Sequence, residues 1–245
     1  MKKSTVQTIF WLTVFSIAMG YMETAVVVYL REMYYPGGFG FPLKPIGYNI
    51  AITEIIREAA TIIMLAGAGV MTGRTLTEKF GNFVYSFAVW DIFYYVFLKL
   101  LLHWPDSLLN WDLLFLIPVP WVGPVLCPML NSLSMILLAL VIAYFTDKNG
   151  QIRLNMKEWS LLIVGSVVVI VSYTLDYSSY ILSQFSISEL LNDLNRDVIL
   201  NYASKYIPQH FDWWIYIIGE LLILAGIGVF AVRSRGIPAN RVRSS

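Results

Sequence analysis

The feature that most constrains this chain is the length of its apolar runs. A helix that crosses a bilayer needs roughly 20 mostly apolar residues. Five stretches meet that requirement, near residues 8–30, 50–71, 80–102, 122–145 and 213–233. A sixth, 159–177, is slightly short but has no competing reading as a soluble element. The connections between them leave no segment of useful size for a soluble domain. Composition agrees, because 13% of the 245 residues are charged, where soluble domains run to about a quarter. The expected architecture is an all-α polytopic membrane helix bundle, a single integral membrane domain of six transmembrane helices. The first run follows Lys2 and Lys3 and carries the small pair Ala18 and Gly20, as a cleaved leader would. Apolarity resumes after Glu23 with TAVVVYL, however, so the first helix is expected to be retained.

Lys and Arg collect on the cytoplasmic side of short loops. When alternate connections are assigned to opposite sides, 11 of the 17 Lys and Arg residues fall with the termini. Five fall opposite, at Arg31, Lys44, Lys99, Arg196 and Lys205, and Arg57 alone lies well inside a span. The bias predicts both termini in the cytoplasm. An odd number of spans would break it.

With that orientation the ionisable residues inside the spans gather in the outer half. Glu23 and Arg31 lie toward the outer end of the first helix, and Glu54, Arg57 and Glu58 in the outer half of the second. Asp91 is near the middle of the third, Lys99 near its outer end, and Glu220 in the outer third of the sixth. A charge at the bilayer centre costs about 2.5–3.5 kcal/mol on insertion scales, so such groups pair, face the protein interior or line a wet cavity. Glu54, Arg57 and Glu58 stand at i, i+3 and i+4 and share one helical face. One arginine between two carboxylates leaves surplus negative charge, to which Glu23 and Asp91 add and which Arg31 or Lys99 can offset. The candidate acid, base or metal-ligating groups are therefore Glu54, Glu58 and Asp91. The candidate ligand contacts are Glu23, Arg57, Arg31, Tyr94 and Tyr95, the tyrosines following Asp91 at i+3 and i+4. The competing reading is a structural ion-pair knot between helices. Trp90 is assigned to lipid or core, and Asp112, after Trp111, to the membrane interface.

The segment WDLLFLIPVPWVGPVLCPML, residues 111–130, is apolar yet holds Pro118, Pro120, Pro124 and Pro128. Proline removes a backbone donor and clashes with the preceding turn, so no helix runs through 118–120. Residues 111–121 are read as a proline-broken re-entrant piece dipping in from outside, with the fourth helix starting near Pro124. Unpaired backbone at membrane depth survives only in protein or on a cavity wall. The loop YYPGGFGFPLKPIGYN reads as an irregular plug at headgroup level. In the longest outer connection Ser186 and Glu189 form a capping box. Ile187, Leu190, Leu191, Leu194, Val198 and Ile199 then mark one face of an amphipathic outer helix over about residues 186–206. It is read as packing on the bundle or the headgroups in preference to closing over the polar cluster. WDIFYY and WDLLF, twenty-one residues apart, are too short to mark a repeat.

The combination GYMETAVVVYLREMYYP, WDIFYY and FLIPVPWVGPVL resembles a group of uncharacterised bacterial multi-pass membrane proteins without assigned activity. The resemblance implies a bacterial inner membrane, which makes the outer side periplasmic, and it transfers no functional residues. Three functions stay open. The first is an enzyme or binding protein whose outward-facing carboxylate and arginine site takes a lipid, a lipid-linked headgroup or a divalent cation. The others are a proton- or ion-coupled transporter and a non-catalytic subunit of a membrane complex. Zinc, haem and nucleotide are not expected: His103 and His210 show no metal-ligand spacing and no P-loop is present. A net charge of +1, with Lys and Arg scattered in loops, excludes a nucleic-acid stripe. Nothing in the sequence sets the oligomeric state.

Overall fold

The computed structural model describes residues 1–150, 152–190 and 196–236. Six long helices dominate: α1 (Lys3–Tyr34), α2 (Tyr48–Thr72), α3 (Leu76–Leu102), α4 (Leu126–Asn149), α5 (Met156–Leu182) and α8 (Trp213–Arg235). The shortest has 23 residues, which at about 1.5 Å per residue exceeds a hydrocarbon core of roughly 30 Å. All six are long and apolar enough to cross a membrane. The short fifth run becomes a full helix of 27 residues, because Asn155 and Glu158 close a reciprocal cap at its start. Between α3 and α4 lie two strands, β1 (Trp111–Phe115) and β2 (Trp121–Pro124). Two short helices follow α5, α6 (Ile187–Leu190) and α7 (Arg196–Ala203).

The helices associate as lipid-embedded helices must. Lipid tails are as apolar as leucine, so close packing and interhelical hydrogen bonds hold the bundle. Large apolar side chains such as Ile63, Leu221 and Val232 point outward and are exposed, and small residues occupy the contacts. Along α1 the buried residues Ser16, Gly20 and Thr24 recur every fourth position. They meet α3, which runs parallel to α1. Thr13 and Tyr85 share a hydrogen bond of 2.8 Å, and Thr24 Oγ1 donates to the carbonyls of Gly20 and Tyr94. A Cβ on Gly219 of α8 would lie 2.8 Å from Val169 N and 2.9 Å from Gly165 O of α5, so these helices touch backbone to backbone. α4 packs between α3 and α8, whereas α2 packs on α3 and touches α1 only lightly.

The start of α1 and the end of α8 lie on one face. The backbone amide of Lys2 and the hydroxyl of Thr5 donate to Asp147 at the end of α4, and Asn149 Nδ2 donates to Ser234 O. Arg233 grips the fully buried Glu158 from two nitrogens, at 2.6 and 2.9 Å, and donates to Arg153 O. This ion pair at the terminal face had no signal in the reading of span interiors. Glu158 belongs to the cap of α5 and Arg233 to the last turn of α8.

The proline-rich segment forms an antiparallel hairpin. Trp111 pairs with Pro124, Asp112 with Gly123, Leu113 with Val122 and Phe115 with Trp121, with an irregularity between Leu113 and Phe115. Pro118 and Pro120 fall in the turn, where no ladder donor is lost. Strand pairing meets the backbone needs of a re-entrant segment. Residues 111–121 thus take a definite form, β1 and its turn, which the sequence analysis did not specify, and α4 begins at Leu126, two residues beyond Pro124.

The outer helix foreseen over 186–206 lies partly outside the described residues. α6 and α7 are its described parts. The amide of Ser186 donates to Glu189 Oε2 at 2.8 Å, as its cap requires. Tyr202 of α7 stacks on Tyr180 of α5 at 4.5 Å, and Tyr206 donates to Asp176 at 2.5 Å.

Candidate functional site

A cavity of about 300 Å³ opens among α1, α2, α3 and the hairpin, roofed by the loop after α1. All eight residues singled out in the sequence line it: Glu23, Arg31, Glu54, Arg57, Glu58, Asp91, Tyr94 and Tyr95. Three helices supply them because the C-terminal end of α1, the N-terminal half of α2 and the C-terminal half of α3 face one another.

Arg57 sits at the centre of one cluster. Its Nε and Nη2 reach Glu54 at 2.9 and 2.8 Å, and its Nη1 donates to Glu23. Thr61 Oγ1 also donates to Glu23, at 3.3 Å. Glu54 and Glu58, grouped in the sequence as one pair, therefore play different parts. Glu54 is held by the guanidinium, whereas Glu58 accepts the backbone N–H of Leu116, in the hairpin turn, at 2.9 Å. Asp91 accepts from Ser132 of α4 at 2.8 Å.

The second cluster lies at the mouth. Arg31 is 7% exposed, and its Nη2 donates to Asp112 Oδ1 at 3.3 Å. Asp112 is 1% exposed and also accepts from Tyr95 at 3.1 Å. Burial raises its carboxyl above the usual carboxylate range, and Arg31 and Tyr95 oppose that rise. Asp112 is thus a buried site residue, not an interfacial one. The sequence signal for it was the repeated Trp-Asp: both pairs, at 90–91 and 111–112, place their aspartate on the cavity. Trp90, assigned to lipid or core, is buried in the core and lines the cavity.

Other expected contributors are elsewhere. Lys99 Nζ donates to the carbonyls of His103 and Pro105, and Glu220 of α8 accepts from Ser134. Neither lines the cavity. The described residues of 186–206 do not line it either, consistent with packing on α5. The loop after α1 does, through Tyr35, Phe39, Leu43, Lys44 and Ile46. Further lining residues that the sequence did not mark are the hairpin residues 113–116 and Trp121, with Asn131 of α4 and Tyr173 of α5.

Chemically, the walls are largely aromatic and aliphatic, with carboxylates and two arginines at defined points. Among the described residues no three His, Cys, Asp or Glu side chains converge as metal ligands. No family model, no curated protein and no solved structure matches the chain, so any function must be argued from this geometry.

Proposed function

We propose that the cavity binds an amphiphile, a lipid or lipid-linked molecule drawn from the outer leaflet, and that Glu58 and Asp91 are the carboxylates available to it. The observation that carries this is a single cavity combining an apolar aromatic wall with carboxylates from three helices and from strand β1. Its volume is at the lower end of small-molecule sites, about 300–1,000 Å³, enough for a headgroup and part of a chain. Glu23 and Glu54 neutralise Arg57. Glu58 and Asp91 each have one neutral donor and are the groups placed to exchange a proton with a ligand. The charge bias of the loops supports cytoplasmic termini and an outward-facing cavity, and the resemblance supports a bacterial inner membrane.

Lipid retained through purification in mild detergent tests this reading by native mass spectrometry. The wild type is expected to carry lipid that Val27→Trp, which fills the cavity from α1, excludes without change in thermal stability. Equal retention by both proteins would overturn the reading.

A specific observation favours transport as the second reading. A smaller polar cavity of about 170 Å³ opens on the terminal face between α1, α3 and α4, lined by Thr72, Asn82, Thr146 and Asp147 among others. Between the two cavities the hydroxyls of Ser16 and Ser86 are buried without partners. Proton flux into proteoliposomes, abolished by Asp91→Asn, would favour transport over binding alone.

A further inference from the structure

Of the eight buried side-chain atoms without a hydrogen-bond partner among the described residues, three belong to residues that line the large cavity. They are Arg31 Nη1, Trp90 Nε1 and Trp121 Nε1. All three are N–H donors, which can be satisfied only by an acceptor. Buried donors are rarely left unpaired in native structures, and a charged one least of all.

Arg31 is the most constrained of them. Phe39 and Trp104 stand against its guanidinium, with ring centroids 4.2 and 3.9 Å from Cζ. Asp112 takes Nη2 at 3.3 Å and leaves Nη1 unmet. The rings fix the plane of the fork, the carboxylate fixes one edge, and Nη1 remains. Lys44, whose Nζ is 5.8 Å from the Tyr35 ring, places a second cation on the cavity lining from the loop after α1. A guanidinium fork suits the oxygens of a phosphate or carboxylate. Glu23 and Glu54, two further anions of the cavity, are occupied by Arg57.

We propose that Arg31 and its aromatic flank form a subsite for a phosphate oxyanion at the mouth of the cavity, with the indole N–H groups of Trp90 and Trp121 as further donors to an oxygen-rich headgroup. The inference rests on the amphiphile reading and narrows it to an anionic, phosphate-bearing ligand.

The test titrates the purified protein with dioleoylphosphatidic acid, with dioleoylglycerol and with inorganic phosphate, counting bound ligand by native mass spectrometry. The first two probes share tails and differ in the phosphate. Wild type is expected to prefer phosphatidic acid by about tenfold or more, as charge-assisted hydrogen bonds to one phosphate would give. Arg31→Gln should abolish that preference. Asp112→Asn removes the competing carboxylate and should tighten phosphatidic acid binding several-fold, a gain that a misfolded protein cannot show. Inorganic phosphate that competes at millimolar concentration makes the free anion an occupant; failure to compete makes the occupant a lipid headgroup. Equal binding of both lipids, lost in Val27→Trp, would overturn the subsite and leave the cavity reading standing. Lipid binding unaffected by Val27→Trp would overturn both.

Discussion

Replacing Arg57 by methionine separates a structural arginine from a ligand-binding one. Arg57 makes three contacts to two carboxylates whose side chains are 10% and 9% exposed, and is itself 20% exposed. Removing one member of a buried ion pair costs about 3–5 kcal/mol, because the other charge is left buried. One-fifth exposure admits some solvent screening, so Arg57→Met should cost about 3 kcal/mol, at the low end of that range. The triple variant Glu23→Gln, Glu54→Gln, Arg57→Met leaves no unpaired charge. It should return to within about 1 kcal/mol of wild type, since neutral replacements of a whole buried cluster are often tolerated. Equilibrium unfolding in mixed micelles, followed by loss of helical circular dichroism, gives these differences in one double-mutant cycle. The knot argument fails if Arg57→Met costs less than about 1 kcal/mol, or if the triple variant is no more stable than the single one.

Three further outcomes follow from particular contacts. Tyr216→Phe removes one hydroxyl proton that is shared between Cys127 O and Asn131 Oδ1, both at 2.9 Å; at about 0.6 kcal/mol on average and about 1.7 at most for one hydrogen bond in a bilayer, the same unfolding titration should show a loss of about 0.6–1.7 kcal/mol. Gly219→Leu forces α5 and α8 apart and should destabilise by about 1–3 kcal/mol or more, while Gly228→Leu on the same helix, with nothing within 4 Å, should stay within about 0.5 kcal/mol. The third outcome concerns pH, through Asp112 at the hairpin base, outside the six spans. Its carboxyl is raised in the folded protein, so its stabilising contribution is fully present below the ordinary value of 3.8 and is lost as pH rises through the raised one. The stability of wild type relative to Asp112→Asn should therefore decline as pH rises above the ordinary carboxyl value of 3.8, and a rise instead would show that Arg31 outweighs burial.

The spans were legible because lipid imposes a length and polarity that few other environments require. Even the shortest apolar run became a full helix once its polar start at Asn155 and Glu158 and its continuation to Leu182 were included. The carboxylates were legible for the same reason, since Glu23, Glu54, Glu58 and Asp91 stand out against apolar neighbours. The hairpin was not. In WDLLF the apolar residues run together without alternation, so the stretch reads equally as the start of a helix. Its prolines excluded a helix without naming a strand. Asp112 was misplaced because its meaning depends on Arg31, 81 positions earlier, and no local spacing links the two. The different parts of Glu54 and Glu58 depend on the Leu116 amide, which has no side-chain signal at all.

The charges of the cavity also bear on the choice between a structural knot and the proposed ligand site. A knot selected only to join helices would leave each ionisable member satisfied, because an unmatched charge at this depth is expensive. Three of the five carboxylates fit that description: Glu23 and Glu54 share Arg57, and Asp112 holds Arg31 with help from Tyr95. Glu58 and Asp91 do not. Each accepts a single hydrogen bond from a neutral donor, and each faces the cavity. The knot thus explains the charges at the C-terminal end of α1 and in the N-terminal half of α2 but not why two further carboxylates were placed beside it. Glu58 adds a mechanical consequence. Its bond to Leu116 ties the hairpin turn to α2, so a ligand group that takes the carboxylate also releases the turn. A spin label at Val119, exposed on that turn, should gain mobility on ligand binding in the wild type. In Glu58→Ala, where the tie is already absent, it should be mobile from the start. Equal mobility in both proteins would break the proposed link between the site and the hairpin.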